Sequence, residues 1–346
     1  LTLVNDDGDL VQPQHYIPIV PMILINGCSA GIGTGWSCTM PCFNPLDIIA
    51  ALRVWIENDG EVLIEDPDTN ETCSILPELV PWYRGFKGEI KSSGENRFVT
   101  EGIITRGAKP DTVEITELPV GMWTNKFKET CEDMVVDKKL KALKNYSGTQ
   151  NIHFVITESL DGLRCNKTNL KLHSYLYTSN MVLFNEKDQL KKYISVSEII
   201  DNFCTVRLSH YDLRKKHQIK SLDQQLRFLG NKERFIGEVI RKEILVMEQE
   251  ESVIIEVLEE KSYDMDPIEK SYNYLLRLPI RTFTVDKVRS LKKDITSLEK
   301  ELNTLKSTKI QTMWKRELKE LETEYIKWLK VIESRVPKKR KGKDKK

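Results

Sequence analysis

Apolar positions along the chain change their period from segment to segment. From Asn44, the stretch NPLDIIAALRVWIEN places Ile48, Ile49, Leu52 and Ile56 on one helical face, which predicts an amphipathic helix. Asn44 is suited to cap that helix and Pro45 to open it. Upstream, VQPQHYIPIVPMILING holds three prolines, and its MILI run predicts a short buried strand or turn. Between residues 60 and 185 the period falls to that of strands. NRFVTEGIITR, DTVEITELPV, NIHFVITES and MVLFN are short β-rich runs bounded by Gly, Pro, Asn and Asp. They predict an α+β unit with a mostly antiparallel sheet. NKFKETCEDMVVDKKLKAL interrupts them as one helical segment or two.

From about residue 195 the pattern is helical. Val196, Ile199, Phe203 and Val206 step by three and four, and the stepping resumes at Ile219, Leu222, Leu226 and Leu229 and again at Ile236, Ile240 and Ile244. A second run, Val288, Leu291, Ile295, Leu298, Leu302 and Leu305, continues through Trp314, Leu318, Leu321, Tyr325, Trp328 and Ile332. Each run covers roughly 50 residues, on the order of 75 Å of helix. Together they predict one long antiparallel coiled-coil hairpin, with residues 250–283 as a small helical cap at its far end. No internal repeat is visible, which excludes a solenoid. These shifts divide the chain into 1–45, 46–187, 188–335 and a tail, 336–346.

Charge sharpens the picture at one end only. The net charge is +1, but PKKRKGKDKK at the C-terminus carries +6, which leaves −5 on the rest. That tail reads as a disordered basic arm, and its PKKRK run fits a nuclear-import patch as well as a plain solvated or nucleic-acid-binding tail. Seven cysteines at irregular spacing match neither a disulfide framework nor a zinc pattern, so they read as reduced intracellular thiols. No window is apolar enough to span a bilayer, so no membrane partner is expected. Leu1 in place of Met points to a fragment or a processed chain.

The candidate chemistry lies in NGCSAGIGTGW, Asn26 to Trp36. A Walker phosphate loop needs a lysine after its last glycine, and Trp36 follows Gly35 instead. A dinucleotide fingerprint needs G-x-G-x-x-G, and Gly31, Gly33 and Gly35 are evenly spaced. Glycines also let backbone approach a ligand closely, leaving Ile32 as a protruding apolar wedge of the kind that kinks DNA from the minor groove. The plainer reading is that Ile32 plugs a local core.

PIVPMILINGCSAGIGTGWSCTMPCFNP resembles the segment after the active-site tyrosine of eukaryotic-type DNA topoisomerase II. The bacterial gyrase and topoisomerase IV subunits share a looser version. EITELPVGMWT, NMVLFN, LKKYISVSEIIDNF, RLSHYDLRKK, YDMDP, YNYLLRLP and LNTLKS with MWKREL agree in family order, from about residue 5 to about 335. The resemblance implies a winged-helix remnant over 1–45, an antiparallel-sheet tower domain, and a coiled-coil arm. A compact, viral version fits the near absence of the acidic insert that cellular relatives carry before YNYLL.

The family's site residues carry over onto matching positions. Ile32 matches the isoleucine that inserts between base pairs and bends the gate DNA, with Gly31, Gly33 and Thr34 around it. Lys171, Leu172, His173, Ser174, Tyr175, Leu176, Tyr177, Thr178, Ser179 and Asn180 fall where the family has a DNA-contacting strand and loop. A polar edge strand is the alternative there. In the cap, Val253, Ile254, Val257, Leu258, Tyr272 and Tyr274 are candidates for the exit gate, where two copies of the chain meet. The alternative is that they close the hairpin within one chain. One departure is CSA, which is one residue longer than the family's loop and puts the aim of Ile32 in question.

The family's chemistry is transesterification by a tyrosine preceded by arginine. None of the eleven tyrosines here follows an arginine, so the nucleophile is expected upstream of Leu1. The family's EGDSA and DxDxDG metal motifs are absent, and DMD in YDMDP reads as a turn. Mg²⁺ and ATP are therefore expected to serve the complete enzyme and not to bind this segment. The expected partners are double-stranded DNA and a second copy of the chain. The expected location is the nucleus in a cell, or host nuclear or cytoplasmic replication sites for a virus. Two competing readings are a non-catalytic coiled-coil tether, which needs no glycine loop, and a bacterial-type gyrase subunit, which predicts propeller repeats after the hairpin.

Overall fold

The computed structural model describes residues 3–13, 16–65, 72–149, 151–160, 162–267 and 269–335. The basic tail lies outside them. The chain divides into two compact units, one of residues up to Arg207 together with those from Glu317 on, the other of Leu208–Arg316. Helix and antiparallel sheet are both present, as the α+β reading expects.

In the first unit, β1 (Leu3–Asp6) and β2 (Asp9–Pro13) form a hairpin. The MILI run is a one-turn helix, α1 (Met22–Asn26), and not a strand. Leu24 is buried within it, and Gly27 at φ 63° stops it. Hairpin β3 (Cys28–Gly33) and β4 (Trp36–Met40) follows at once. Helix α2 (Pro45–Glu57) forms as its sequence predicts. Asn44 Oδ1 accepts the Leu46 N–H at 3.0 Å, Pro45 needs no donor partner, and Ile48, Ile49, Leu52 and Ile56 are buried.

The remaining strands of this unit are β5 (Leu63–Glu65), β6 (Thr72–Ser74), β7 (Glu89–Ser92), β8 (Arg97–Glu101), β9 (Ile103–Arg106) and β10 (Thr112–Glu117). Helix α3 (Thr124–Val136) leads to β11 (Leu140–Asn145), β12 (Phe154–Glu158), β13 (His173–Tyr177), β14 (Met181–Phe184) and β15 (Leu190–Tyr193). All pairings are antiparallel, with sheet orders β11-β12-β10-β9 and β13-β8-β7 and the pair β14-β15. The LKAL end of the segment read as helical is strand β11. Lys138 at φ 62° ends the helix, and Leu140 turns into a core of Val113, Ile115, Phe127, Phe154 and Ile156. Phe127 meets Phe154 edge-on at 5.1 Å.

Helix α4 (Val196–Ile240) fulfils the first long run, and Ile244 lies beyond its end. The cap holds α5 (Glu251–Glu260), α6 (Asn273–Leu276) and a 3₁₀ turn, Ile280–Thr282. The second run is not one helix. It breaks into α7 (Val285–Ser307) and α8 (Ile310–Arg335), with Thr308 extended at φ −74°, ψ 125°. Lys215 of α4 donates to the carbonyls of Lys306 and Thr308 at 3.0 and 2.7 Å, which satisfies acceptors that the break frees. Within the second unit the pairing is antiparallel: Tyr211 lies against Trp314, and Glu233 lies 3.6 Å from Lys292. In the first unit, Arg207 pairs with Glu317 at 3.7 Å and Arg53 with Glu322 at 2.5 Å.

Candidate nucleic-acid interface

Ile32 stands on a hairpin arm rather than in an open loop. In the β3–β4 ladder Gly31 faces Cys38, Ile32 faces Ser37 and Gly33 faces Trp36, with the turn at Thr34 and Gly35. Gly35 takes φ 81°, the left-handed region that favours glycine. The register shifts between Cys28 and Gly31, where Ser29 and Ala30 oppose Thr39 alone. That two-against-one count is a β-bulge. The bulge absorbs Ser29 and Ala30 before the ladder reaches Ile32, which stands in regular pairing opposite Ser37.

Ile32 is 88% exposed, which removes the reading of it as a local core plug. The flanking glycines have a reason internal to the hairpin. A Cβ on Gly33 would sit 2.2 Å from Trp36 Nε1, and one on Gly31 would sit 2.6 Å from Cys28 Sγ. Trp36 is itself fixed edge-on against Phe184 of β14 at 5.8 Å. Cys28 Sγ donates to the Cys38 carbonyl at 3.5 Å, and burial pushes the Cys38 thiol up, so it stays protonated.

The 173–180 segment comes to the same place. The Thr39 N–H donates to the Asn180 carbonyl at 2.8 Å, and Asn180 Nδ2 donates to Ser37 Oγ at 3.0 Å. Ser37 is the residue opposite Ile32. Along β13, His173, Tyr175 and Tyr177 share one face, with ring centroids 6.0 and 6.4 Å apart. Both tyrosines are exposed, and the Arg97 guanidinium lies 5.1 Å from the Tyr175 ring centroid. Arg97 was not apparent from the sequence, because β8 pairs with β13 only in the folded sheet.

Not every residue of the segment faces outward. Leu172 and Thr178 are buried, and the Thr178 N–H donates to the Asn96 carbonyl at 3.0 Å. Ser174 Oγ donates to the Val120 carbonyl at 2.6 Å and lies 2.8 Å from Thr100 Oγ1. Their polar groups hold the sheet together and are not free for a ligand. Lys171, at φ 52°, and Ser179 are exposed, and Leu176 is half-buried. Opposite His173, Glu101 accepts from Lys167 at 2.6 Å, and that bond holds its carboxyl below the usual carboxylate range.

The cap candidates sort differently. Ile254, Leu258 and Tyr272 are buried in the cap's own core with Phe235, Tyr263 and Leu275, and Val257 and Tyr274 pack against it. The Tyr274 hydroxyl donates to the Asp264 carbonyl at 2.6 Å. These residues close the hairpin within one chain. Of the six, only Val253 is exposed, and Leu245, Met247, Met265 and Ile280 are exposed apolar neighbours in the chain that the sequence reading missed. Among the described residues, no group of three or more His, Cys, Asp or Glu side chains is placed to hold a metal ion, and no helix is long and apolar enough to cross a membrane.

This arrangement of elements matches a solved DNA-handling domain, described as the Plasmodium falciparum topoisomerase II DNA-binding, cleavage and re-ligation domain. The TM-score is 0.79 at 32% identity, over 96% of this chain and 48% of that one. The family model for the A-type subunit of DNA gyrase/topoisomerase IV matches residues 1–319, and the chain belongs to this family. A curated relative, DNA topoisomerase 2 of Plasmodium falciparum (isolate K1 / Thailand), is 32% identical over 93% of this chain and 25% of its own length. DNA topoisomerase 2 of Invertebrate iridescent virus 6 is 33% identical over 90% of this chain and 26% of its own. The chain thus spans about a quarter of the length of these curated relatives.

Proposed function

We propose that this chain is part of an ATP-dependent type II DNA topoisomerase, which passes one duplex through a transient double-strand break in another. Its own share is to bind and bend the cut duplex and to form the exit gate of a homodimer. The observation that carries this reading is Ile32, 88% exposed at the end of a glycine-flanked hairpin that is tied through Ser37 and Asn180 to an aromatic strand. An isoleucine side chain entering a base step unstacks it at a cost of a few kcal/mol and kinks the duplex. Phosphate contacts offset that cost, and Arg97, Lys171, Tyr175, Tyr177 and Ser179 present exposed groups for them.

Catalysis would belong to the complete enzyme, with Mg²⁺ and ATP held elsewhere in it. The described residues offer no fitting set of metal ligands. At the cap, Val253, Met247 and Met265 are the apolar surface for a second copy. The site of action follows the DNA: the nucleus in a cell, or host replication sites for a virus.

Energy transfer across an end-labelled duplex bound to the complete enzyme tests the wedge. Ile32→Ala removes three carbons from the inserted side chain, worth about 2 kcal/mol, so the ratio of bent to unbent complex is expected to fall on the order of thirtyfold. Equal bending by variant and wild type would refute the wedge. The isolated chain with Mg²⁺ and ATP is expected to leave supercoiled plasmid unrelaxed, and robust relaxation would overturn the division of labour.

A further inference from the structure

Helix α7 has two unlike faces. Val288, Leu291, Ile295, Leu298, Leu302 and Leu305 form its apolar side, and Leu291 and Leu302 are buried. The opposite side carries Arg289, Lys293, Thr296, Ser297 and Lys300, all exposed. With Lys292 they line a shallow depression of 410 Å³ that contains no acidic residue. At 100° per residue, Asp294, Glu299 and Glu301 fall on the flanks of the helix, and Asp286 in its first turn is the one acidic residue of α7 on the stripe's own side. Among the described residues, Arg289 pairs with Asp286 at 3.3 Å on the exposed surface, which is worth little, and Lys292 at the stripe's edge lies 3.6 Å from Glu233. No described residue pairs with Lys293 or Lys300. This concentration of positive charge sits on a chain that is net negative outside its tail.

We propose that this face of α7 binds the phosphate backbone of duplex nucleic acid. The inference rests on the reading that the protein handles duplex DNA, and it adds a contact surface in the second unit, separate from the Ile32 hairpin. Arg289, Lys293 and Lys300 stand four and seven residues apart, a rise of about 6 and then about 10 Å along one line. Duplex DNA presents a continuous row of phosphates, with a charge about every 1.7 Å of axis. Ser297 lies among the cations as a hydroxyl donor of the kind that reaches phosphate oxygens. The face has no aromatic side chain on which single-stranded bases could stack, and no apolar pocket to anchor an acidic peptide. Charge complementarity therefore favours a duplex.

The test uses the full chain and a fluorescein-labelled duplex, with anisotropy titrations from about 50 to about 200 mM salt. The triple variant Arg289→Ala, Lys293→Ala, Lys300→Ala changes only exposed helix positions, where alanine is a good helix former, so the fold persists. Each lost phosphate contact flattens the slope of log affinity against log salt by about 0.9, so the three together give about 2.7. The wild-type advantage is then expected to shrink about fortyfold between those two salt levels. A variant that keeps the wild-type slope overturns the proposal. So does equal or tighter binding of a single strand of the same length, or of polyglutamate, to the wild-type face. If the wedge reading alone is wrong, Ile32→Ala bends DNA as wild type does, while the triple variant still loses slope.

Discussion

Trp314→Ala is expected to destabilise the helical arm by about 3–5 kcal/mol, the cost of cutting a large core aromatic down to a methyl. Trp314 is fully buried in the first turns of α8, and its ring centroid lies 5.8 Å from that of buried Tyr211 at a 32° tilt. Its place explains the size of the effect. It follows directly on the break at Thr308, where the backbone ladder is interrupted and Lys215 donates to the freed carbonyls. Side-chain packing, not helix continuity, therefore sets where α8 resumes against α4. The aromatic pair adds about 0.5–1.5 kcal/mol beyond burial, so Trp314→Phe should recover much of the loss. Urea unfolding followed by far-ultraviolet circular dichroism reads the result. With a denaturant slope of about 2 kcal/mol per molar, the midpoint should drop by roughly 2 M. A drop of less than about 0.5 M would mean that the break is held by something other than this pair.

The same break shows what a linear pattern conceals. The apolar steps of α7 end at Leu305, and the next buried apolar residues are Met313 and Trp314, eight and nine residues on. At 100° per residue, nine residues are two and a half turns, so an unbroken helix would turn Trp314 toward the opposite side. The signal was present as an irregular gap inside an otherwise regular series, and the break restores the phase. Local signals elsewhere translated directly: Asn44, Pro45 and the Ile48 stripe define α2 because cap, opener and face all act within one segment. MILI carried no period long enough to separate strand from helix, and Gly27 settled it by ending the turn. Non-local pairing was not legible. The approach of Arg97 to Tyr175 depends on β8 lying beside β13, and that order depends on the whole sheet. In the cap, Ile254 and Val253 look alike in sequence, and only the packed core shows that one is buried and the other exposed. At the β3–β4 hairpin, glycines around a lone isoleucine left a protruding and a core-plugging Ile32 both open, and its exposure decides for the first. The reason for Gly33 was not legible, since it lies in the indole of Trp36.

Glu238 governs the second large effect, because it ties α4 to the cap through charged groups. Its carboxylate accepts from Arg234 Nε at 3.0 Å and from Lys261 Nζ at 2.9 Å, and its side chain is 11% exposed. Arg234 reaches further, donating to the Lys261 carbonyl and lying 4.0 Å from the Tyr263 ring centroid. Burial alone would raise the Glu238 pKa; the hydrogen bonds from Lys261 and Arg234 outweigh it and hold the carboxyl below its ordinary value. The sign of the pH effect follows. Stability from this group is fully present above the unfolded carboxylate value, about 4.3, and is lost as pH falls through the lowered folded value. Glu238→Ala at neutral pH is expected to cost about 2–3 kcal/mol, the worth of charge-assisted bonds to cations that regain part of their hydration. Glu238→Gln keeps the shape and removes the titration, so the cap of that variant should lose no further stability through the same acid window. Hydrogen exchange at the amides of Ile254 and Leu258 reads the cap directly: protection should fall with acid in the wild type and stay flat in the glutamine variant. An acid limb of equal steepness in both would assign the pH dependence to another carboxylate. Because Val253, Met247 and Met265 present the proposed dimer surface from this same cap, loss of the Glu238 tie should weaken self-association along with local protection.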